Sequence, residues 1–349
     1  MFGYPDQKFS AGESQLETLG FTVVTPPPSP TTRFFRHNEG TTDVYETNAR
    51  LIPSPKTHFD VQFKLLGAVD NVGTFVAQNI ISTSTGREFQ IFQNGSTLRV
   101  RLGGSESSFS VAIVTAGVYR ITNDGSNLEL FKDGTSLEII PSAIGAGEEP
   151  TATFTMCGRH HGSPTSYSFL YEGFMSDVIV RDNTGTITNK YLIDDNSDIV
   201  VDSAGNADAV IINGNADDWK QYTEQDTGEW LGEDLITQQV WESPLLAEAT
   251  WNFSSNQWIL TGDGSLSQLV FVSTALQPIP MRIEGFCPAI TGHLAVVGSN
   301  AGQIGITTAG QYVFDIDNNL TASQVFKRHT GVVNATLDKF SMREVLYIV

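Results

Sequence analysis

Tyr171-Glu172-Gly173-Phe174-Met175-Ser176-Asp177-Val178-Ile179-Val180-Arg181-Asp182 alternates apolar and polar side chains as a half-buried strand does, and Asn183-Thr184-Gly185 breaks it. A second strand is expected from Ile187 to Ile193. Asp194-Asp195-Asn196 follows, then a short Ile199-Val200-Val201 run, the polar Asp202-Ser203-Ala204-Gly205-Asn206, the apolar Val210-Ile211-Ile212, and finally Asn213-Gly214 and Trp219. Short strands joined by Gly, Asn and Asp turns predict an antiparallel β fold. No window reads as a long amphipathic helix.

The pattern continues upstream. Phe59-Asp60-Val61-Gln62-Phe63-Lys64-Leu65 alternates cleanly, residues 73–81 form another strand, and Glu88-Phe89-Gln90-Ile91-Phe92 is expected to pair with residues 97–102 through Gln93-Asn94-Gly95. The Asn-Gly step supplies the positive φ that a tight hairpin requires. Asn127-Leu128-Glu129-Leu130-Phe131-Lys132-Asp133-Gly134-Thr135-Ser136-Leu137 reads as strand, Asp-Gly turn and return strand.

This order of pieces resembles the end of a concanavalin A-like, laminin G-like jelly roll, in the variant common in bacteriophage tail and other virion proteins. The Leu128 to Gly134 hairpin resembles the one that precedes the last strands of laminin G-like domains. The last hundred residues restart a β pattern, with Trp258-Ile259-Leu260-Thr261-Gly262, Thr308-Ala309-Gly310-Gln311-Tyr312-Val313-Phe314 and Asp338-Lys339-Phe340-Ser341-Met342-Arg343-Glu344-Val345. They resemble the small carbohydrate-binding-like jelly roll that often ends virion surface proteins. The expected fold is therefore all-β: two tandem β-sandwich (jelly-roll) domains at 58–222 and 248–349, preceded by an extended N-terminal arm at 1–57 and joined by a Trp-containing connector at 223–247. The arm holds Pro26-Pro27-Pro28-Ser29-Pro30, which favours extended backbone, yet also Phe9, Phe21, Phe34, Phe35 and Tyr45, which need cover from their own domain or a partner subunit.

All five tryptophans, Trp219, Trp230, Trp241, Trp251 and Trp258, fall within 40 residues around the connector. Large amphipathic rings gathered at a junction suggest packing between domains or subunits, with a sugar-stacking platform as the alternative. Asp194, Asp195, Asp202, Asn206 and Asp208 collect the oxygen ligands that calcium prefers, and domains of the resembled kind bind calcium nearby. Ala204, Ala207 and Ala209 stand at three small positions, two of them usually glycine there, so an ordinary Asx turn is the competing reading.

Thirty-nine acidic against 20 basic residues give a net charge of -19, which disfavours nucleic acid and polyanions as partners. No run of about 18 apolar residues offers a membrane span. The opening Met1-Phe2-Gly3-Tyr4-Pro5-Asp6 lacks the basic start and apolar core of a secretory signal, so assembly in a cytoplasm is expected. Cys157 and Cys287 are expected as buried thiols. His160-His161 is read as a solvated or hydrogen-bonded loop pair.

Sandwich glycosidases carry paired carboxylates about 5–5.5 Å apart, and no strand here has their Glu-x-Asp-x-x-Glu spacing; Asp194-Asp195 and Glu229 with Glu233-Asp234 are the nearest acidic groups. The resemblance implies a non-enzymatic virion structural protein, a tail fibre or other surface appendage, without a cofactor. It would act by non-covalent binding, either anchoring on other virion proteins or contacting host glycans, as a homo-oligomer with a trimer as first expectation. Capsid decoration as a head-fibre protein is the nearest alternative; a glycan depolymerase or a free lectin are the others.

Overall fold

The computed structural model describes residues 31–39, 43–67, 72–78, 89–113, 115–146, 153–160, 167–194, 196–205, 207–212, 214, 219–225, 229–234, 241–242, 249–252, 257–262, 270–272, 280–296, 305–316 and 324–347. Every described strand lies in the compact unit Thr32–Val349. The fold is all-β, with no helix among the described residues.

In chain order the first strands are β1 (Thr32–Glu39), β2 (Val44–Thr47), β3 (Phe59–Leu66), β4 (Val72–Gln78), β5 (Phe89–Asn94), β6 (Thr97–Leu102), β7 (Ser105–Ser108), β8 (Gly117–Asn123) and β9 (Asn127–Lys132). Then come β10 (Thr135–Pro141), β11 (Phe154–Met156), β12 (Arg159–His160), β13 (Tyr167–Ser168), β14 (Glu172–Arg181), β15 (Ile187–Leu192), β16 (Ile199–Val200), β17 (Ala209–Ile212) and β18 (Trp219–Glu224). One sheet runs β10-β9-β8-β3-β14, with β15 and the end of β1 sharing the far edge of β14. The facing sheet runs β16-β17-β2-β11-β4-β5-β6-β7. All their pairings are antiparallel.

The period of two places Phe59, Val61, Phe63 and Leu65 of β3 on one side, and all four are buried in the core. Phe63 stacks on Phe75 of the facing sheet at 4.9 Å between ring centroids, and Phe59 meets Phe89 at 5.0 Å. This is the sandwich expected from the 171–219 stretch, with β14 at its centre. The Asp133-Gly134 turn takes positive φ at both residues (50° and 79°), the conformation a two-residue hairpin of primed type needs. Between β5 and β6 the register differs from expectation. Asn94 ends β5 opposite Thr97, and Gly95-Ser96 form the loop, with Gly95 alone at positive φ (60°).

The remaining strands are β19 (Glu229–Asp234), β20 (Trp241–Glu242), β21 (Ala249–Asn252), β22 (Gln257–Gly262), β23 (Val270–Val272), β24 (Met281–Val296), β25 (Gly305–Ile306), β26 (Gly310–Ile316) and β27 (Gln324–Tyr347). They form one curled antiparallel sheet whose spine is β27. Along one edge β27 pairs with β24; along the other it meets β23, then β22, then β19. Register shifts at four places along β24 let so long a pair bend.

The boundaries differ from the linear reading. Residues 32–57, expected as part of an arm, supply β1 and β2, and β1 is shared: Thr32 to Arg36 pair with β18, whereas His37 to Glu39 pair with β14. Residues 223–247, expected as a connector, contain β19, whose Trp230 and Leu231 are buried and whose backbone pairs with both β18 and β27. Residues 1–30, 235–240 and 243–248 lie outside the described residues. Phe35, Leu66, Phe174, Tyr222, Trp230 and Leu346 close into a separate apolar cluster where the sandwich meets the last sheet. Beside it Tyr222 and Lys220 both donate to Glu344, at 2.8 and 2.6 Å.

Candidate functional site

On β5 and β6 the core takes Phe89, Ile91, Leu98, Val100 and Leu102, so Gln90, Phe92, Arg99 and Arg101 project from the opposite face of the sheet. After β11, β12 pairs with β13, and these strands bring Arg159 against Gln90 and Phe169 against Phe92 to cover this face. A cavity of about 180 Å³ remains, lined by Gln90, Phe92, Asn94, Arg99, Arg101, Glu106, Arg159 and Phe169. Its inner wall is buried, while Asn94 and part of Arg99 and Glu106 reach solvent.

The wall is tied together by hydrogen bonds. Arg101 Nη1 donates to Gln90 Oε1 at 2.8 Å and Arg159 Nη1 to the same oxygen at 3.1 Å, while Gln90 Nε2 donates to Thr74 Oγ1 at 2.7 Å. Glu106 bridges two arginines, accepting from Arg99 Nη1 at 3.0 Å and from Arg101 Nη2. Burial works against the Glu106 charge, but Arg101 and then Arg99 outweigh it and hold the carboxyl below its usual range. The guanidinium of Arg101 lies 4.9 Å from the Phe92 ring centre and that of Arg159 lies 5.5 Å from Phe169; the two rings meet edge to face at 5.5 Å. Planar cations and aromatic rings are thus fixed in alternation around one small space.

Among the described residues, two of the four non-glycine residues at positive φ flank β12 and β13: Cys157 (62°) and Phe169 (57°). Such backbone costs on the order of 1–3 kcal/mol and persists where neighbours over-determine it. Here Cys157 N–H donates to Phe75 O at 2.9 Å, Thr74 N–H to Phe169 O at 2.8 Å, and Tyr171 N–H to Cys157 O at 3.1 Å. The strain aims Arg159 and Phe169 at the sheet face. The Cys157 thiol itself is buried, its ionisation pushed up by burial, and it accepts from Asn38 Nδ2 at 3.2 Å; Cys287 is buried and free as well.

Next to the cavity segment, Glu46 gathers three donors. Tyr167 Oη donates to Oε2 at 2.5 Å, and Thr153 Oγ1 and His160 Nε2 approach Oε1 at 2.5 and 3.1 Å. Burial opposes the Glu46 charge, yet the bonds from His160, Thr153 and Tyr167 together hold its carboxyl below the ordinary range, while burial and then Glu46 push the Tyr167 phenol up. His160 is thus a buried, hydrogen-bonded strand residue rather than a solvated loop one; His161 lies outside the described residues.

The acidic loop is organised differently from a cation cage. Asp202 is buried, and its Oδ1 accepts from the backbone of Lys190 (2.9 Å), Ala204 (3.2 Å) and Gly205 (2.9 Å). Its Oδ2 accepts from Asn189 Nδ2 (2.6 Å) and Ala207 N–H (3.2 Å). Asp208 Oδ1 in turn accepts from Asp202 N–H at 2.9 Å, and Asp194 pairs with Arg33 at 2.9 Å. Gly205 is needed here, since a Cβ would lie 2.5 Å from Asp202 Oδ2. These are Asx-turn contacts; Asp195 and Asn206 lie outside the described residues, and no group of three or more His, Cys, Asp or Glu at metal-holding spacing occurs among the described ones. Asp202→Ala is expected to lower stability by about 1–3 kcal/mol, because buried donors lose their acceptor. Excess calcium is expected to leave the wild-type melting midpoint in place, and thermal melts check both.

Of the tryptophans, Trp219 (9 % exposed) packs against the sandwich core and Trp230 (3 % exposed) lies in the junction cluster, so these two are packing residues. Trp251 and Trp258 are register partners across the β21–β22 hairpin, and Trp241 is in β20; their side chains lie outside the described residues. Neither cavity-facing aromatic is a tryptophan. The Arg99-x-Arg101 alternation opposite Gln90-x-Phe92 was the available sequence signal for this face; nothing local marks Arg159 and Phe169 as its other wall.

No known protein family matches the sequence. No curated protein matches it either. Among solved structures, the binding domain of botulinum neurotoxin DC in complex with rat synaptotagmin II is similar at a TM-score of 0.27 and 10 % identity, over 91 % of this chain and 90 % of that one. A tryptophan-to-alanine mutant of HCR D/C gives a TM-score of 0.26 and 8 % identity, over 93 % and 91 %. Likeness of that degree carries neither fold nor ligand over to this chain.

Proposed function

We propose that this protein is a non-enzymatic binding module of a virion surface, a tail fibre or similar appendage, whose ligand is a saccharide held on the outer face of the second sheet. The observation that carries the binding reading is the cavity at Phe92, Arg99, Arg101, Arg159 and Phe169, with its side chains pre-ordered by mutual bonds and its covering segment held in strained backbone. Binding sites of this kind combine aromatic walls with a few placed polar groups. Two of the acidic groups weighed for a depolymerase are ion-paired, Asp194 with Arg33 at 2.9 Å and Glu229 with Arg282 at 2.7 Å. The virion assignment rests on the order of sequence pieces and on their resemblance to phage structural domains.

Two measurements test this. Glycan-array binding by the intact protein is expected to weaken about tenfold or more in Phe169→Ala, whose ring is only partly buried, with the melting midpoint nearly unchanged; unchanged binding would remove the cavity from the reading. Mass spectrometry of purified particles is expected to find the protein at a fixed stoichiometry, and its absence would sink the virion role.

A further inference from the structure

The chain carries a net charge of -19, from which polyanionic partners are disfavoured. Three guanidinium groups, Arg99, Arg101 and Arg159, nevertheless converge on the cavity, against the single carboxylate of Glu106 among its lining residues. We propose that the site recognises one carboxylate-bearing sugar, a uronic acid or similar acidic residue at a glycan terminus. This deepens the saccharide reading above and rests on it.

Three features select this ligand. The first is the fork geometry of Arg, which matches a carboxylate in two parallel hydrogen bonds and keeps its charge at any working pH. Both Nη atoms of Arg101 are already taken by Gln90 and Glu106, and Arg99 and Arg159 are each held through one Nη, so an anion meets guanidinium groups at set positions and little side-chain entropy is lost when it arrives. The second is the pair of aromatic rings, Phe92 and Phe169, which offers apolar surface to the C–H face of a sugar ring; a bare inorganic anion would not use it. The third is size and field. A cavity of about 180 Å³ lies below the roughly 300–1,000 Å³ of drug-sized sites, so it fits one residue rather than several. A long polyanion would lie against the acidic remainder of the surface and be repelled, whereas one terminal acid feels mainly the local arginines. The local field, set by tertiary placement, overrides the global one at short range.

The probes are methyl β-D-glucuronoside, its neutral counterpart methyl β-D-glucoside, and inorganic sulfate, titrated calorimetrically into the full-length protein. The glucuronoside is expected to bind at least tenfold tighter than the glucoside and than sulfate. Arg99 has a side chain one-third exposed, and Glu106 keeps Arg101 as a partner when Arg99 is changed. Arg99→Met is expected to lower glucuronoside affinity about tenfold or more with little change in melting midpoint, and Arg99→Lys, which keeps charge but loses the fork, to fall between. Arg159→Met is expected to act in the same direction. Equal binding of glucuronoside and glucoside, both weakened by Phe169→Ala, would overturn the acidic ligand and leave the saccharide reading standing. Sulfate binding as tightly as the glucuronoside would make this an oxyanion site and overturn the sugar. No binding of either sugar would remove both readings.

Discussion

Arg36→Met is expected to destabilise the protein by about 3–5 kcal/mol, the range for breaking a buried ion pair from one side. Arg36 is 1 % exposed at the end of the β1 segment that pairs with β18, and its Nη2 meets Asp43 Oδ2 at 2.8 Å, with Nη1 donating to Asn38 Oδ1 at 3.1 Å. Its guanidinium also lies 5.9 Å from the buried Tyr45 ring, whose phenol is pushed well up, first by burial. Removing the cation takes the Arg36 partner from the Asp43 carboxylate, 3 % exposed, in a low-dielectric site. The double variant Arg36→Met/Asp43→Leu is expected to recover much of the loss, since an apolar pair of similar volume avoids the desolvation penalty. Urea unfolding of the two variants checks this; a double variant no better than the single would show that the pair acts through shape rather than charge.

The second large effect is expected at Trp230. Trp230→Ala should cost about 3–5 kcal/mol, as truncating a buried aromatic does. The ring is 3 % exposed, meets Phe35 edge to face at 5.4 Å and carries the Arg33 guanidinium at 5.6 Å. Phe35 and Tyr222 contact each other at 5.8 Å, and Phe174 meets Tyr222 at 6.0 Å, so the truncation opens the cluster that joins the sandwich to the last sheet. Because Phe35 and Trp230 touch, Phe35→Ala and Trp230→Ala are expected to couple by about 0.5–3 kcal/mol rather than add. Limited proteolysis offers a second readout: cleavage within β18 and β19 should accelerate in Trp230→Ala, and an unchanged rate would mean that the joint is held by the β1–β18–β19–β27 ladder alone.

Much of the sandwich was legible because its signals are local. Alternation over 59–65 and 171–182 is a direct consequence of one face meeting a core and the other not, and Asp133-Gly134 is a turn wherever it occurs between two such runs. The boundaries were less legible. Phe34, Phe35 and Tyr45 stood out as apolar residues in need of cover, but β1 receives its partners from β14 and β18, at least 130 residues away in sequence, and no local pattern announces that one strand will divide between two sheets. The same holds for β19, where Glu229 to Asp234, a stretch without period-two alternation, is a strand because β18 and β27 lie beside it.

The acidic loop at 202–208 shows the limit from the other side. A row of oxygen-bearing residues is compatible with a cation or with an Asx turn, and the choice depends on which N–H donors face Asp202, a matter of where the Lys190 backbone and the Asn189 side-chain amide of β15 lie. Composition likewise determined the net charge and through it the long-range field of the molecule. It could not determine the sign of the potential inside one cavity, because Arg159 joins Arg99 and Arg101, which already share a face of β6, only when β12 is brought against Gln90 of β5. Periodicity, turn residues and total charge are properties of short stretches or of sums, and the sequence alone determines them for this protein. Strand partnership, the coordination of Asp202 and the arginine-lined cavity depend on contacts between distant residues, whose loop-closure entropy is overcome only by the packing of the whole core, and these the tertiary structure decided.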